Sequence, residues 1–353
     1  VSRGWSGGRE GEQDADDAAG DESAPPRPRY LLHAMLFLAT FLTTTATGAL
    51  EAHGMAAVNP IRDGLPYSLP LMFILLCHEF GHYIVARLHG VPASLPYFIP
   101  LPPGFGLGTL GAVIGMRRVT TDRKQLIDIG AAGPLAGLAV AIPLLVYGLM
   151  HSDVGPLTNG MQEGNSILYA VIKRVIKGAW LPNSLSDVRL HPTAQGAWAG
   201  LLVTMINLLP IGQLDGGHVA TAYFGNGYNR FAERLRRVLP IGAVLVFVWV
   251  LHATRQEAGQ AWRFNVGSYI AMLAAAPWLI WFVMIGMMRR MTGGVNHPPV
   301  DDKVLPRSRR ALFYLMVVVF VGVFMPVPSR PILVSGPPPA GEQAPPASAN
   351  LGP

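Results

Sequence analysis

Residues 74–86 read ILLCHEFGHYIVA, an apolar run with two histidines and a glutamate at its centre. His78 and His82 are four apart, so a helix puts both imidazoles on one face, one turn from each other. Two such nitrogens can hold one Zn²⁺ at about 2.0–2.1 Å each. Glu79 lies about 100° around the helix from His78. That is the wrong face for a third ligand and a suitable one for taking a proton from a water at the metal. The pattern is the H-E-x-x-H of zinc hydrolases. A structural polar cluster or a proton relay would use the same residue types, but a glutamate inside an apolar span points first to a functional site. Gly81, inside the motif, lets another backbone come close.

A catalytic zinc takes three protein ligands and leaves one position open. Seven of the 21 acids lie in residues 1–29, and most of the others sit in polar loops. Asp128 precedes an apolar run and reads as an interfacial or capping residue. Asp215 is the stronger candidate. It stands in INLLPIGQLDGGHVA (206–220), which continues the charge-free run 193–211. Pro210 should end or kink a helix there, and Gly212, Gly216 and Gly217 permit unusual backbone angles. Irregular backbone at membrane depth is tolerated where it is buried in protein or lines a wet cavity.

The elements that must position these residues are membrane spans. Half of the 353 residues are apolar and 14% are charged, against about 25% in soluble domains. Residues 30–50, 129–150, 193–211 and 267–288 carry no Asp, Glu, Lys or Arg, and each is about long enough to cross a bilayer. Runs at 238–254 and 311–327 are shorter, and 69–86 makes a seventh if Glu79 is tolerated. The first run follows a 29-residue acidic tail and is too long for a cleavable signal peptide. With seven spans and the amino terminus inside, the inner segments hold 19 of the 27 Lys and Arg, so the amino terminus is expected to be cytoplasmic. The net charge of +6 is scattered between apolar runs, which excludes a nucleic-acid site as its explanation. The single cysteine, Cys77, forms no intrachain disulfide and points away from the histidine face. Residues 1–29 and the Pro-rich 328–353 read as disordered tails. In the 151–192 loop, residues 167–180 form an amphipathic stretch suited to a bilayer surface.

HEFGH in one span and NLLPIGQLDGG in a later one resemble the two signature motifs of the site-2 protease family of intramembrane metalloproteases. PYFIPLPPGFGLGTLGAVIGMR (96–117) and DIGAAGPLAG (128–137) are similar to its PDZ-lacking bacterial and chloroplast members. The likeness covers about residues 69–222. It implies that His78, His82 and Asp215 hold one zinc, that Glu79 is the catalytic base, and that Asn207 contacts substrate or transition state. It implies an all-α polytopic membrane protein of about seven transmembrane helices, in which residues 30–327 form the protease domain. The glycine-rich 105–116, otherwise a buried packing loop, becomes a re-entrant extended or β-hairpin loop near the active site. The substrate implied is a transmembrane protein cut within or near its helix, and the location a bacterial inner membrane. The 151–192 loop is too short for the PDZ domain of many relatives. A transporter or a non-proteolytic metal-binding membrane protein is the rival class, although no second half resembles the first. Gly133 and Gly137 read as helix packing, and His218 as an ordinary residue or a support for Asp215.

Overall fold

Backbone in an apolar medium must satisfy its own hydrogen bonds, and the charge-free runs accordingly become helices. The computed structural model describes residues 29–53, 59–116, 120–157, 160–183, 186–258, 264–291 and 297–332. The expected disordered tails fall outside these residues, apart from Arg29 and 328–332. In chain order the elements are α1 (Tyr30–His53), α2 (Pro60–Leu88), β1 (Tyr97–Pro100), β2 (Thr109–Val113), α3 (Arg123–Met150), β3 (Asp153–Pro156) and β4 (Gly160–Glu163). They continue with α4 (Ile167–Lys177), β5 (Ser186–Arg189), α5 (Pro192–Asn207), α6 (Asp215–Phe224), α7 (Tyr228–Ala258), α8 (Phe264–Met291), α9 (Arg307–Val323) and β6 (Ser329–Ile332).

Helices occupy all seven expected runs, but among the described residues five are long and apolar enough to cross a membrane: α1, α2, α3, α7 and α8. α5 has 16 residues and α9 has 17. α5 stops at Asn207, short of the expected 211, because Pro210 cannot continue it and Gly212 turns the chain with φ of 63°. α2 begins nine residues before the expected span. The Asn59 side chain accepts the Arg62 N–H, and Pro60 occupies the first turn, where its missing donor costs nothing.

α2, α3, α5 and α6 form the centre. Leu71, Ile74, Leu75, Ile127, Leu145, Leu201 and Met205 are fully or almost fully buried there. Gly81 brings α2 against α3, where a Cβ would stand 2.6 Å from the Ala132 carbonyl oxygen. Leu31, Met35, Leu38 and Leu42 are exposed along one stripe of α1, as are Val244, Leu245 and Val248 on α7. An apolar surface of that kind suits lipid contact.

β1 and β2 form an antiparallel hairpin with a register shift between Phe98 and Pro100. It lies along α1. His33 Nδ1 donates to the Pro96 carbonyl at 3.0 Å, and Thr43 Oγ1 donates to the Gly108 carbonyl at 2.8 Å. Those helix positions are ten residues apart, about 15 Å of rise. Tyr67 OH on α2 donates to the Leu107 carbonyl at 3.2 Å.

Two expectations are corrected here. Asp122, not Asp128, caps α3: its side chain accepts the Lys124 and Gln125 N–H groups. Asp128 lies in the second turn, where it accepts from Arg309 at 2.8 Å and sits 3.1 Å from His89 Nε2, tying α9 to α3. The Pro-rich segment is also not wholly unstructured. Ser329–Ile332 pairs antiparallel with Gly160–Glu163, because a strand edge supplies backbone bonds that need little apolar content. β3 pairs with β5 in the same antiparallel sense.

Candidate metal centre

His78 and His82 lie on the inward face of α2 and are 2% and 5% exposed. Asp215 is the first residue of α6, delivered by the turn that Pro210 and Gly212 force on the chain. Gly216 and Gly217 have ordinary backbone angles. They are needed for space: a Cβ on Gly216 would strike the Leu208 carbonyl, and one on Gly217 the Gly212 carbonyl. Tyr228 OH donates to the Pro210 carbonyl at 2.7 Å, one of the acceptors left over where the helix breaks.

The three side chains converge across 137 residues of sequence. His78 Nε2 is 3.1 Å from Asp215 Oδ2, His82 Nε2 is 3.2 Å from Asp215 Oδ1, and the two Nε2 atoms are 3.2 Å apart. Among the described residues they form a group able to hold a metal ion. Three donors each about 2.0–2.1 Å from one tetrahedral zinc stand about 3.3 Å from one another. The separation of the two Nε2 atoms, and the contact of each with its own oxygen of the Asp215 carboxylate, are that size to within a few tenths of an ångström. Its chemistry fits as well. The Ile129 carbonyl is 2.7 Å from His82 Nδ1. A carbonyl can only accept, so Nδ1 carries the proton and Nε2 presents its lone pair to the shared point.

Glu79 follows His78 and is 4% exposed. It does not join the ligand group, and neither does Cys77. Asn207, the last residue of α5, comes to the site, with Nδ2 3.3 Å from His78 Nε2. His218 is not among the grouped ligands. Its Nδ1 faces His297 Nε2 at 2.8 Å, while His297 Nδ1 lies 2.7 Å from the Pro298 carbonyl. The carbonyl fixes the proton on His297 Nδ1, so His218 donates to His297 and fastens α6 to the segment before α9. A lone histidine at 297 gave no sequence signal of that pairing. Gly133 and Gly137 of α3 face His82 and His78 respectively, a relation that sequence reasoning missed. Its one visible trace is a four-residue spacing equal to that of the histidines.

Both motifs lie inside one family match, since residues 66–249 fit the model of peptidase family M50. The chain belongs to this family. The resemblance to the site-2 proteases therefore stands. Among similar proteins are the probable zinc metalloproteases EGY1 and EGY2, chloroplastic, of Arabidopsis thaliana. EGY1 is 32% identical over 59% of this chain and 39% of its own length. EGY2 is 33% identical over 54% of this chain and 35% of its own length. The rice EGY3, from Oryza sativa subsp. indica and likewise a probable zinc metalloprotease, chloroplastic, is 28% identical over 65% of this chain and 42% of its own length. The M50 chain thus spans well under half the length of these relatives. No solved structure matches.

Proposed function

We propose that this M50 chain is a zinc-dependent intramembrane metalloendopeptidase, cutting peptide bonds within or near transmembrane helices of membrane-protein substrates. The carrying observation is the convergence of His78 Nε2, His82 Nε2 and the Asp215 carboxylate beside a buried Glu79 outside the ligand group. Zinc in such a site acts as a Lewis acid and lowers the pKa of water. His78, His82 and Asp215 would hold it, with His82 oriented by the Ile129 carbonyl. Glu79 takes the proton of the attacking water and returns it to the amine nitrogen as the C–N bond breaks. Asn207 has an amide donor within reach of the same point and can hold the scissile carbonyl or the charge that develops on it.

A helical substrate shields its carbonyls, so it must unwind before it is cut. Among the described residues no third strand pairs with the β1–β2 hairpin, and an extended segment can join its outer edges. Its bonds along α1, from His33 to Thr43, support a re-entrant loop. Seven crossings are supported by pairing at the helix ends. Asp301 N–H donates to the Thr121 carbonyl at 2.8 Å, which favours an even number of crossings between them. α3, α7 and α8 supply three, and α5 the fourth. β4 and β6 lie side by side, which by the same count favours α9 as a further crossing. The excess of basic residues on the side of residues 87–126 and 289–310 favours the cytoplasm or its equivalent for that side. The relatives named chloroplastic favour a chloroplast membrane over the expected bacterial inner membrane.

The test is purified protein in vesicles with a single-span substrate carrying Gly or Pro near mid-span. A cut mapped inside the span, lost with a chelator and regained with zinc, is the expected result. Cuts confined to water-exposed loops would contradict the proposal.

A further inference from the structure

α3 packs antiparallel to α2 and carries Gly133 and Gly137 at the spacing of His82 and His78. A Cβ on Gly133 would fall within the His82 ring, against Nε2, Cδ2 and Cε1. Ordinarily such a clash is cheap if the obstructed group is the free end of a side chain. This ring is held from two sides. Nδ1 is bonded to the Ile129 carbonyl at 2.7 Å, and Nε2 stands 3.2 Å from both Asp215 Oδ1 and His78 Nε2. The two constraints share a cause. Ile129 is four residues before Gly133, and a helical Cβ leans toward the amino terminus, over the carbonyl four residues back. A side chain at 133 would cover the acceptor that His82 uses. Gly137 plays a milder part: a Cβ there would meet His78 Cβ and Nδ1 at 3.3 Å each, which a shift of a few tenths of an ångström relieves.

We infer that Gly133, and more weakly Gly137, are positioning residues of the metal centre, seating the His82 and His78 rings so that both Nε2 atoms meet Asp215. Helix packing alone, the sequence expectation for this pair, does not distinguish them from Gly148. A Cβ on Gly148 would meet the Ala194 backbone of α5, far along α3 from the histidines. The inference rests on reading His78, His82 and Asp215 as the zinc ligands.

The test measures affinity for zinc and the visible absorption of the Co²⁺-loaded protein, alongside thermal unfolding of the metal-free protein. Wild type binding one ion per chain upholds the reading beneath; its failure to bind would sink that reading first. Given binding, Gly133→Ala should lose about 10–100-fold in zinc affinity, the range for a lost partner that orients a ligand, and should alter the Co²⁺ spectrum. Gly137→Ala should lose severalfold at most, and Gly148→Ala should keep the wild-type spectrum and affinity while unfolding at a lower temperature. Should Gly133→Ala fail to fold, the His82→Ala background decides. There the ring is gone, and adding Gly133→Ala should not lower the unfolding temperature further. Wild-type affinity and spectrum in Gly133→Ala, or equal destabilisation with and without the His82 ring, would overturn the inference.

Discussion

His82 donates its Nδ1 proton to the Ile129 carbonyl of the neighbouring helix, 2.7 Å away. This one bond fixes the tautomer, aims Nε2 at His78 and Asp215, and links the histidine-bearing α2 to α3. The metal centre is therefore a product of helix–helix contact as much as of the H-E-x-x-H spacing.

Removing any of the three proposed ligands should cost more zinc than loosening one. His78→Ala, His82→Ala and Asp215→Ala are each expected to lower affinity by more than the roughly 10–100-fold of a lost outer partner, read by metal analysis of the purified protein. An Asp215→Ala protein that binds zinc as tightly as wild type would move the third ligand elsewhere.

Asn207 touches the site without belonging to the ligand group. Asn207→Ala should retain zinc and lose about 10²–10³ in kcat, the scale for one lost donor to a developing oxyanion. A loss of zinc with no separate loss of kcat per bound ion would make Asn207 a support for His78.

Much of this was legible from sequence because polar groups at membrane depth are few. The i, i+4 histidines needed only helical periodicity, and Asp215 stood out because Pro210 and Gly212 break an apolar run just before it. Contacts between distant segments left no such mark. Gly133 looks like any packing glycine until α2 is laid against it. Asp128 resembled a cap because nothing in the sequence announces Arg309, 181 residues away, as its partner. Ser329–Ile332 is short and proline-bearing, and its strand exists only because Gly160–Glu163 offers an edge.

The loop between α3 and α5 is held by a buried ion pair. Lys173 is fully buried, its Nζ 3.5 Å from Glu163 Oε1, and Tyr169 OH donates to the same oxygen at 2.9 Å. Burial pushes Glu163 above its usual range and Lys173 below its own. Lys173→Ala should destabilise this region by about 3–5 kcal/mol, the cost of leaving a buried charge unpaired. The double replacement Lys173→Met/Glu163→Gln should restore most of that. Limited proteolysis between residues 151 and 191 reads both, and equal sensitivity of the single and double variants would contradict the pairing.

Orientation is open to labelling. In a Cys77→Ala background, cysteine is placed at Asp153 or Asp302, both exposed. The one at Asp153 should react with a membrane-impermeant thiol reagent in intact cells or organelles. The one at Asp302 should react only after the opposite face is opened. The reverse pattern would overturn the topology and leave the ligand assignment standing.

Glu79→Gln tests the central claim most directly, with zinc content and cleavage of a transmembrane substrate measured on the same purified, folded sample. Glu79 is buried beside the site but outside the ligand group, and glutamine keeps its shape while removing the base. The expected result is one zinc per chain, as in wild type, with cleavage reduced by at least about 10²–10⁴-fold, the usual contribution of a general acid–base group. Cleavage near the wild-type rate in the zinc-loaded variant would contradict the account.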